Sequence, residues 1–263
     1  MDADPHVLSP PFDLSGRTVL VTGATSGIGR MIAEGFAACG AELFICARTR
    51  DACEAVAARI AQTHGCVCTA VAADVASREG RNDLAARIEA RTGRLHCLVN
   101  NAGATAHAAI DDCAEADWDR VMDLNLKAPF FLSQAVLPLL RRGAAPSWPA
   151  AIVNLGSIGG LRIGGRQNYA YAASKAGLHH LTRSMAKALA PEHIVVNAIA
   201  PGPFPSNLSS AQAGAALESL IAQIPVGRSG AWPDVAGLAC YLASPFSAFL
   251  TGGVVPLDGG MSL

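Results

Sequence analysis

The sequence predicts a single α/β domain built on a doubly wound, seven-stranded parallel sheet flanked by helices. Three observations carry this reading. Apolar runs of strand length alternate with longer stretches of helical periodicity, the signature of repeated βαβ units. A glycine-rich turn follows the first run, and the 263 residues contain no internal repeat or low-complexity tract that would divide them.

Taken in order, residues 1–13 form a Pro-bearing flexible leader, and the domain occupies residues 14–263. Strands are expected at Thr18–Thr22, Glu42–Ala47, Val67–Ala72, Leu95–Asn100, Ala151–Leu155, Ile194–Ile199 and Gly253–Pro256, each a short run dense in β-branched and aliphatic residues. Helices fall between them, including Arg50–Gln62, Ser77–Arg91, Ala114–Arg141, Asn168–Ala190 and Pro233–Ala243. The stretch at about 203–232 breaks the rhythm with Pro203, Pro205 and Pro225 around a short helix expected at Ser210–Ile224. Long insertions after a strand are more often functional than decorative, and this one reads as a substrate lid.

Composition removes several partner classes. A formal net charge of −1, with Lys, Arg, Asp and Glu evenly scattered, gives no footprint for nucleic acid or an anionic membrane. The longest apolar stretch, Ala128–Leu140, is interrupted by Pro129, Ser133, Gln134 and Pro138 and falls short of the roughly 20 residues of a membrane span. The acidic, proline-bearing start is unlike a secretory signal, so the expected compartment is the cytoplasm. Eight cysteines without a C-x-x-C pair or histidines at ligand spacing argue against metal and disulfide, leaving Cys46, Cys66, Cys68 and Cys97 as small apolar side chains. Charged residues are only 16% of the chain, below the roughly 25% of an average domain, so uncharged surface is expected at subunit contacts.

Thr18–Thr22 runs directly into Gly23-Ala24-Thr25-Ser26-Gly27-Ile28-Gly29 and then a helical pattern. Glycines there let the backbone approach a ligand, and the helix N-terminus aims N–H groups and its dipole at a pyrophosphate. This is a Rossmann-type dinucleotide turn with G-x-x-x-G-x-G spacing. With Thr22 ahead of it, the segment resembles the short-chain dehydrogenase/reductase family, and the likeness runs from Leu14 to Asp258-Gly259-Gly260.

The resemblance implies a cofactor and a set of residues around it. An acidic residue at the end of the second strand would bind the adenosine ribose and repel a 2′-phosphate, whereas this chain has Ala47-Arg48, with Arg50 nearby. A guanidinium suits a phosphate, so the pattern implies NADP(H), with a solvated loop arginine as the alternative. Asp74 and Val75 end the third strand where the family contacts adenine, although an aspartate there also suits a helix cap. Asn100-Asn101-Ala102-Gly103 matches the family's N-N-A-G, with Asn100, Ala102 and Gly103 as cofactor neighbours and Asn101 as a turn stabiliser. Pro201-Gly202 matches the segment beside the nicotinamide, and Ser206 stands at its threonine position.

Tyr171 and Lys175 are four residues apart in a helical pattern and share one face. A nearby ammonium favours the phenolate, which makes a phenol usable as an acid or base near neutrality. Tyr169 lacks such a partner, since its i+3 and i+4 positions are Ala172 and Ala173. By resemblance Ser157 orients the substrate oxygen, Lys175 also binds the cofactor ribose, and Asn125 supports a water in the proton relay. Where many members carry two serines this chain has Gly156-Ser157.

These residues imply hydride transfer between nicotinamide and a small-molecule carbonyl or secondary alcohol, with 3-oxoacyl-(acyl carrier protein) reductases as the nearest likeness. The apolar lid, with Arg162 and Arg166 as candidate anion sites, favours a carrier-linked 3-oxoacyl thioester. An alcohol, sugar or steroid dehydrogenase is the alternative, and a catalytically silent dinucleotide-binding regulator is the reading from another class. The family likeness also implies a homotetramer, with Ala172, Ala173, Ala176 and Gly177 small enough for close helix approach.

Overall fold

The computed structural model describes residues 12–164, 167–205 and 215–263. Seven parallel strands form one sheet in the order β3-β2-β1-β4-β5-β6-β7. They are β1 (Thr18–Thr22), β2 (Glu42–Ala47), β3 (Cys68–Ala72), β4 (Cys97–Asn100), β5 (Ala150–Leu155), β6 (Ile194–Pro201) and β7 (Val254–Leu257). The intervening helices are α1 (Gly27–Ala38), α2 (Arg50–His64), α3 (Arg78–Thr92), α4 (Glu115–Met122), α5 (Ala128–Gly143), α6 (Tyr169–Leu189), α7 (Ala215–Ile221) and α8 (Trp232–Ala243). Of the lid helix expected at Ser210–Ile224, α7 covers Ala215–Ile221 and ends three residues before Ile224; residues 206–214 of the lid lie outside the described residues, as do residues 1–11 of the leader.

Both faces of the sheet are covered, which is why its strands read as continuous apolar runs. The period of two then sorts each strand into two cores. Val19, Val21, Leu43, Ile45, Val99 and Val153 pack with α1, α2 and α8. Leu20, Phe44, Leu98, Ile152 and Val196 pack with α3, α5 and α6 on the other face. Close contact on the first face needs a missing side chain, because a Cβ on Gly35 of α1 would stand 2.5 Å from Cβ of Ala236 in α8.

The helix expected over Ala114–Arg141 is two helices joined by a π turn, Asp123–Lys127, in which the Ala128 N–H reaches back to the Asp123 carbonyl. The cause lies in the sequence. Pro129 has no N–H to offer the Asn125 carbonyl, so a regular α ladder cannot run through this point. Strand order reverses between β1 and β4, and the crevice beyond their carboxyl ends is where open α/β sheets bind ligands.

Candidate active site

The crevice floor is a set of hydrogen bonds between the ends of β1 and β4. The Thr22 hydroxyl donates to the Val99 carbonyl (3.2 Å) and accepts from the N–H groups of Asn101 (3.0 Å) and Ala102 (3.1 Å). The Asn101 amide donates back to the carbonyls of Thr22 (2.8 Å) and Gly23 (3.1 Å). The glycine turn closes on this bracket. A Cβ on Gly29 would stand 2.2 Å from the Asn101 amide nitrogen, and Gly23 holds φ +65° with Ala102 Cα 2.9 Å from where its Cβ would be. Asn101 is thus the turn stabiliser that the sequence suggests.

Helix α1 opens from this cradle with Ser26 at its N-cap, no side-chain cap bond and no acid in its first turn. Its leading amides and positive dipole end therefore suit a diphosphate, so Gly23, Thr25, Ser26, Gly27, Ile28 and Gly29 fit a dinucleotide. Arg48 lies exposed just past β2, and no hydrogen bond or ion pair engages it among the described residues, whereas Arg50 pairs with Glu54 at 3.6 Å.

Asp74 is exposed past β3, and its carboxylate accepts from the Ala76 N–H at 3.0 Å. Ser77, rather than Asp74, caps α3, accepting from the Gly80 N–H at 2.9 Å. A residue that sequence reasoning missed fixes this turn. Arg81, only 6% exposed, donates to the carbonyls of Val75 (2.8 Å) and Ala76 (2.7 Å). An arginine in the first turn of a polar helix carries no sequence signal for that role.

The chemistry-bearing side chains converge from three segments. Tyr171 and Lys175 lie one turn apart on α6, with Lys175 Nζ 5.6 Å from the Tyr171 ring centroid. Lys175 is 5% exposed and donates to the Leu155 carbonyl at 2.6 Å, and burial pushes its ammonium down to about 8. Ser157 follows β5, and its hydroxyl accepts from the Gly159 N–H at 3.0 Å. A Cβ on Gly159 would stand 3.4 Å from Ser157 Oγ and 3.7 Å from Tyr171 Cε1, so serine and tyrosine flank one point. Asn125, in the π turn, accepts from the Ala104 N–H (2.8 Å) and donates to the Ala104 carbonyl (2.9 Å) and Ser174 Oγ (3.1 Å). Gly103 passes between, its missing Cβ 3.2 Å from Asn125 Oδ1 and 3.8 Å from Lys175 Nζ. Tyr169 instead lines a surface hollow with Trp118 and Gln167.

The comparisons with known proteins agree with this geometry. A family model described as enoyl-(acyl carrier protein) reductase matches residues 23–262. The rhamnolipids biosynthesis 3-oxoacyl-[acyl-carrier-protein] reductase of Pseudomonas aeruginosa is 45% identical over 258 residues, covering 97% of this chain and 100% of the relative. The chain belongs to the short-chain dehydrogenase/reductase family. The 3-oxoacyl-[acyl-carrier-protein] reductase FabG of Aquifex aeolicus is 34% identical over 248 residues, covering 94% of this chain and 98% of the relative. Among solved structures, the Pseudomonas aeruginosa RhlG/NADP active-site complex superposes with a TM-score of 0.93 at 45% identity, covering 97% of this chain and 100% of that one.

Several family-based expectations shift once side chains are placed. Asn100, expected as a cofactor neighbour, turns its side chain into the core. Its amide donates to Asn154 Oδ1 (2.9 Å) and Ser133 Oγ (3.3 Å), and the Asn154 amide donates to Thr182 Oγ1 (2.9 Å). A buried network of this kind ties α6 to the sheet, since each partner left unmet would cost about 1–3 kcal/mol. Pro201 ends β6, and Gly202 donates to the Leu257 carbonyl at 3.0 Å, with Asp258 Cβ 2.7 Å from where its Cβ would be. The family's C-terminal Asp-Gly-Gly thus packs against the segment expected beside the nicotinamide.

Arg162 donates to the Met261 carbonyl and is engaged with the chain's own terminus, not standing free as an anion site. Arg166 and Ser206 lie outside the described residues. Gly177, expected at a subunit contact, packs within the chain, its missing Cβ 3.0 Å from Leu126. Cys46 and Cys97 are buried, while Cys66 and Cys68 are only partly so. Burial pushes the thiols of Cys46, Cys68 and Cys97 up to about 12, which leaves them inert.

Proposed function

We propose that this member of the family is an NADP(H)-dependent reductase of 3-oxoacyl thioesters, probed most directly with carrier-linked substrates. The observation that carries the reading is the meeting of Tyr171, Lys175 and Ser157 at the mouth of the crevice, joined to the two relatives that bear this activity in their names. When bound, the dinucleotide supplies the hydride that reaches the ketone carbon. The chain's own residues manage the oxygen and its proton.

Ser157 Oγ–H donates to the substrate oxygen and stabilises charge as it develops there. Tyr171 gives the oxygen its proton. Lys175, buried beside the ring, favours the phenolate that remains and binds the cofactor ribose. Asn125 has its side chain committed to Ala104 and Ser174. Its part in proton resupply therefore falls to its backbone carbonyl, which Pro129 cannot cap. Gly23 to Gly29 and the α1 amides hold the diphosphate, Arg48 the 2′-phosphate, Asp74 and Val75 the adenine, and Ala102, Gly103, Pro201 and Gly202 the rest of the dinucleotide.

The lid supports an apolar substrate arm. Phe204 is buried in the core, and a Cβ on Gly230 would stand 2.2 Å from the Phe204 ring, so the base of the lid is pinned by an aromatic wedge. The test is kcat/KM with NADPH for 3-oxoacyl thioesters of increasing chain length against ketoses and cyclic ketones. Efficiency should rise with chain length, because each buried methylene contributes about 0.8 kcal/mol. Efficient sugar turnover without thioester activity would overturn the substrate and leave the residue roles standing.

Assembly into a homotetramer is part of the same reading. Phe130 and Phe131 of α5 are 38% and 39% exposed and Trp118 of α4 is 39% exposed, while Phe249 near the C-terminus is fully exposed. Apolar surface of this size suits subunit contacts. Among the described residues no helix is long and apolar enough to cross a membrane.

A further inference from the structure

The segment Gly156-Ser157-Ile158-Gly159-Gly160 is moulded on one buried imidazole. His179 stands on α6 one turn beyond Lys175 and two beyond Tyr171, and is 3% exposed. A Cβ on Gly156 would lie 2.1 Å from His179 Nε2, and one on Gly160 would lie 2.9 Å from His179 Cε1. Distances below about 3 Å are out of reach for a real Cβ, so Gly156 is vacated for the ring, while Gly160 is held bare first by the α6 backbone at Lys175 and Ala176, both 2.7 Å away, and then by the ring edge. The same ring meets the loop by hydrogen bonding, since the Ser157 N–H points at His179 Nε2 over 3.4 Å.

A backbone N–H can only donate, so Nε2 accepts and the neutral ring carries its proton on Nδ1. That Nδ1 is buried and has no hydrogen-bond partner. A buried, unpaired N–H is destabilising, and such a group calls for an explanation. Packing alone would be served by a leucine or methionine of similar volume without that penalty. Burial first, then the charges of Lys175 and Arg183, push the imidazole down to about 4, while the Gly160 backbone opposes the shift. The ring is therefore neutral at any pH where the enzyme would work, as an acceptor must be.

We propose that His179 is the positioning residue for Ser157, its Nε2 accepting the Ser157 N–H so that the hydroxyl is presented to the substrate oxygen beside Tyr171. With Gly159 N–H donating to Ser157 Oγ from the other side, the serine is fixed at both its backbone and its side chain. A side chain at position 156, such as the first of the family's two serines, would collide with this ring. This inference rests on the reductase reading for its activity arm and stands apart from it in its spectroscopic arm.

For the activity arm, His179→Gln keeps an acceptor three bonds from Cβ, whereas His179→Met fills the volume without one. The expected result is kcat within about threefold of wild type for His179→Gln, and a loss of tenfold or more for His179→Met with NADPH affinity unchanged. Gly156→Ala should lower both kcat and Tm by displacing the ring. Adding His179→Ala to it should restore Tm but not kcat, a split that a purely space-filling histidine would not give. Wild-type kcat in His179→Met, or recovery of both quantities in the double variant, would overturn the proposal.

For the spectroscopic arm, ring 15N shifts of His179, assigned by their absence in His179→Gln, should show protonated Nδ1 and bare Nε2 from pH 8 to below pH 5. An Nε2–H tautomer, or titration near 6.5, would refute the assignment whatever the substrate proves to be.

Discussion

Lys175 gives a prediction whose size follows from its surroundings. The ammonium is 5% exposed and donates to the Leu155 carbonyl, and among the described residues no carboxylate pairs with it. Burial takes it from the ordinary 10.5 to about 8. At pH 7 both folded and unfolded chains carry the proton, and the folded state bears a penalty of about 3 kcal/mol for enclosing the charge. Between 8 and 10.5 the unfolded chain holds more protons than the folded one, so stability rises with pH across that window. From pH 8 to pH 10 the gain is about 2 kcal/mol. The assay is urea denaturation of the cofactor-free protein beside Lys175→Met, at equal concentration and at pH 7, 8, 9 and 10. The methionine keeps the length and cannot titrate. Its loss of the Leu155 hydrogen bond has no pH dependence here and cancels in the comparison, as do the buried thiols common to both. Wild-type stability should climb relative to the variant above pH 8. Parallel curves, differing by less than about 0.5 kcal/mol across the range, would refute the claim that the buried ammonium loses its proton early.

Three further outcomes are expected. Tyr171→Phe abolishes turnover while NADPH binding, read by fluorescence titration, stays near wild type, and Tyr169→Phe leaves turnover intact; the reverse pattern would refute the register of α6. Arg48→Ala weakens NADPH by tenfold or somewhat more, the lower end of about 1.5–3 kcal/mol for a charge-assisted bond because the side chain is exposed, and leaves NADH unchanged; equal use of both cofactors by the wild-type protein would contradict it. Light scattering at micromolar concentration gives the mass of a tetramer, with Phe130→Glu and Phe131→Glu together lowering it; a wild-type monomer would leave the exposed aromatics of α5 without this explanation.

The sheet, the glycine turn and the spacing of Tyr171 and Lys175 are legible in the residues alone, because each is a local property of the chain. A buried parallel strand writes itself as an unbroken apolar run, as in Val19 to Val21 and Ala151 to Val153. The i, i+4 relation of tyrosine and lysine is a property of any helix, and the glycines of the turn stand next to one another in the chain. Pro129 is a further local signal, since it has no N–H to offer the Asn125 carbonyl.

What only the tertiary structure decided were the partners contributed by distant segments. Asn100 belongs to the core because Asn154 is 54 residues away and meets it across two strands. Gly156 looks like the loss of a serine until His179, brought to it from α6, is seen to fill the place. Each of these outcomes turns on which groups meet in space, because hydrogen bonds and steric exclusion act over a few ångströms while the residues involved can lie far apart along the chain.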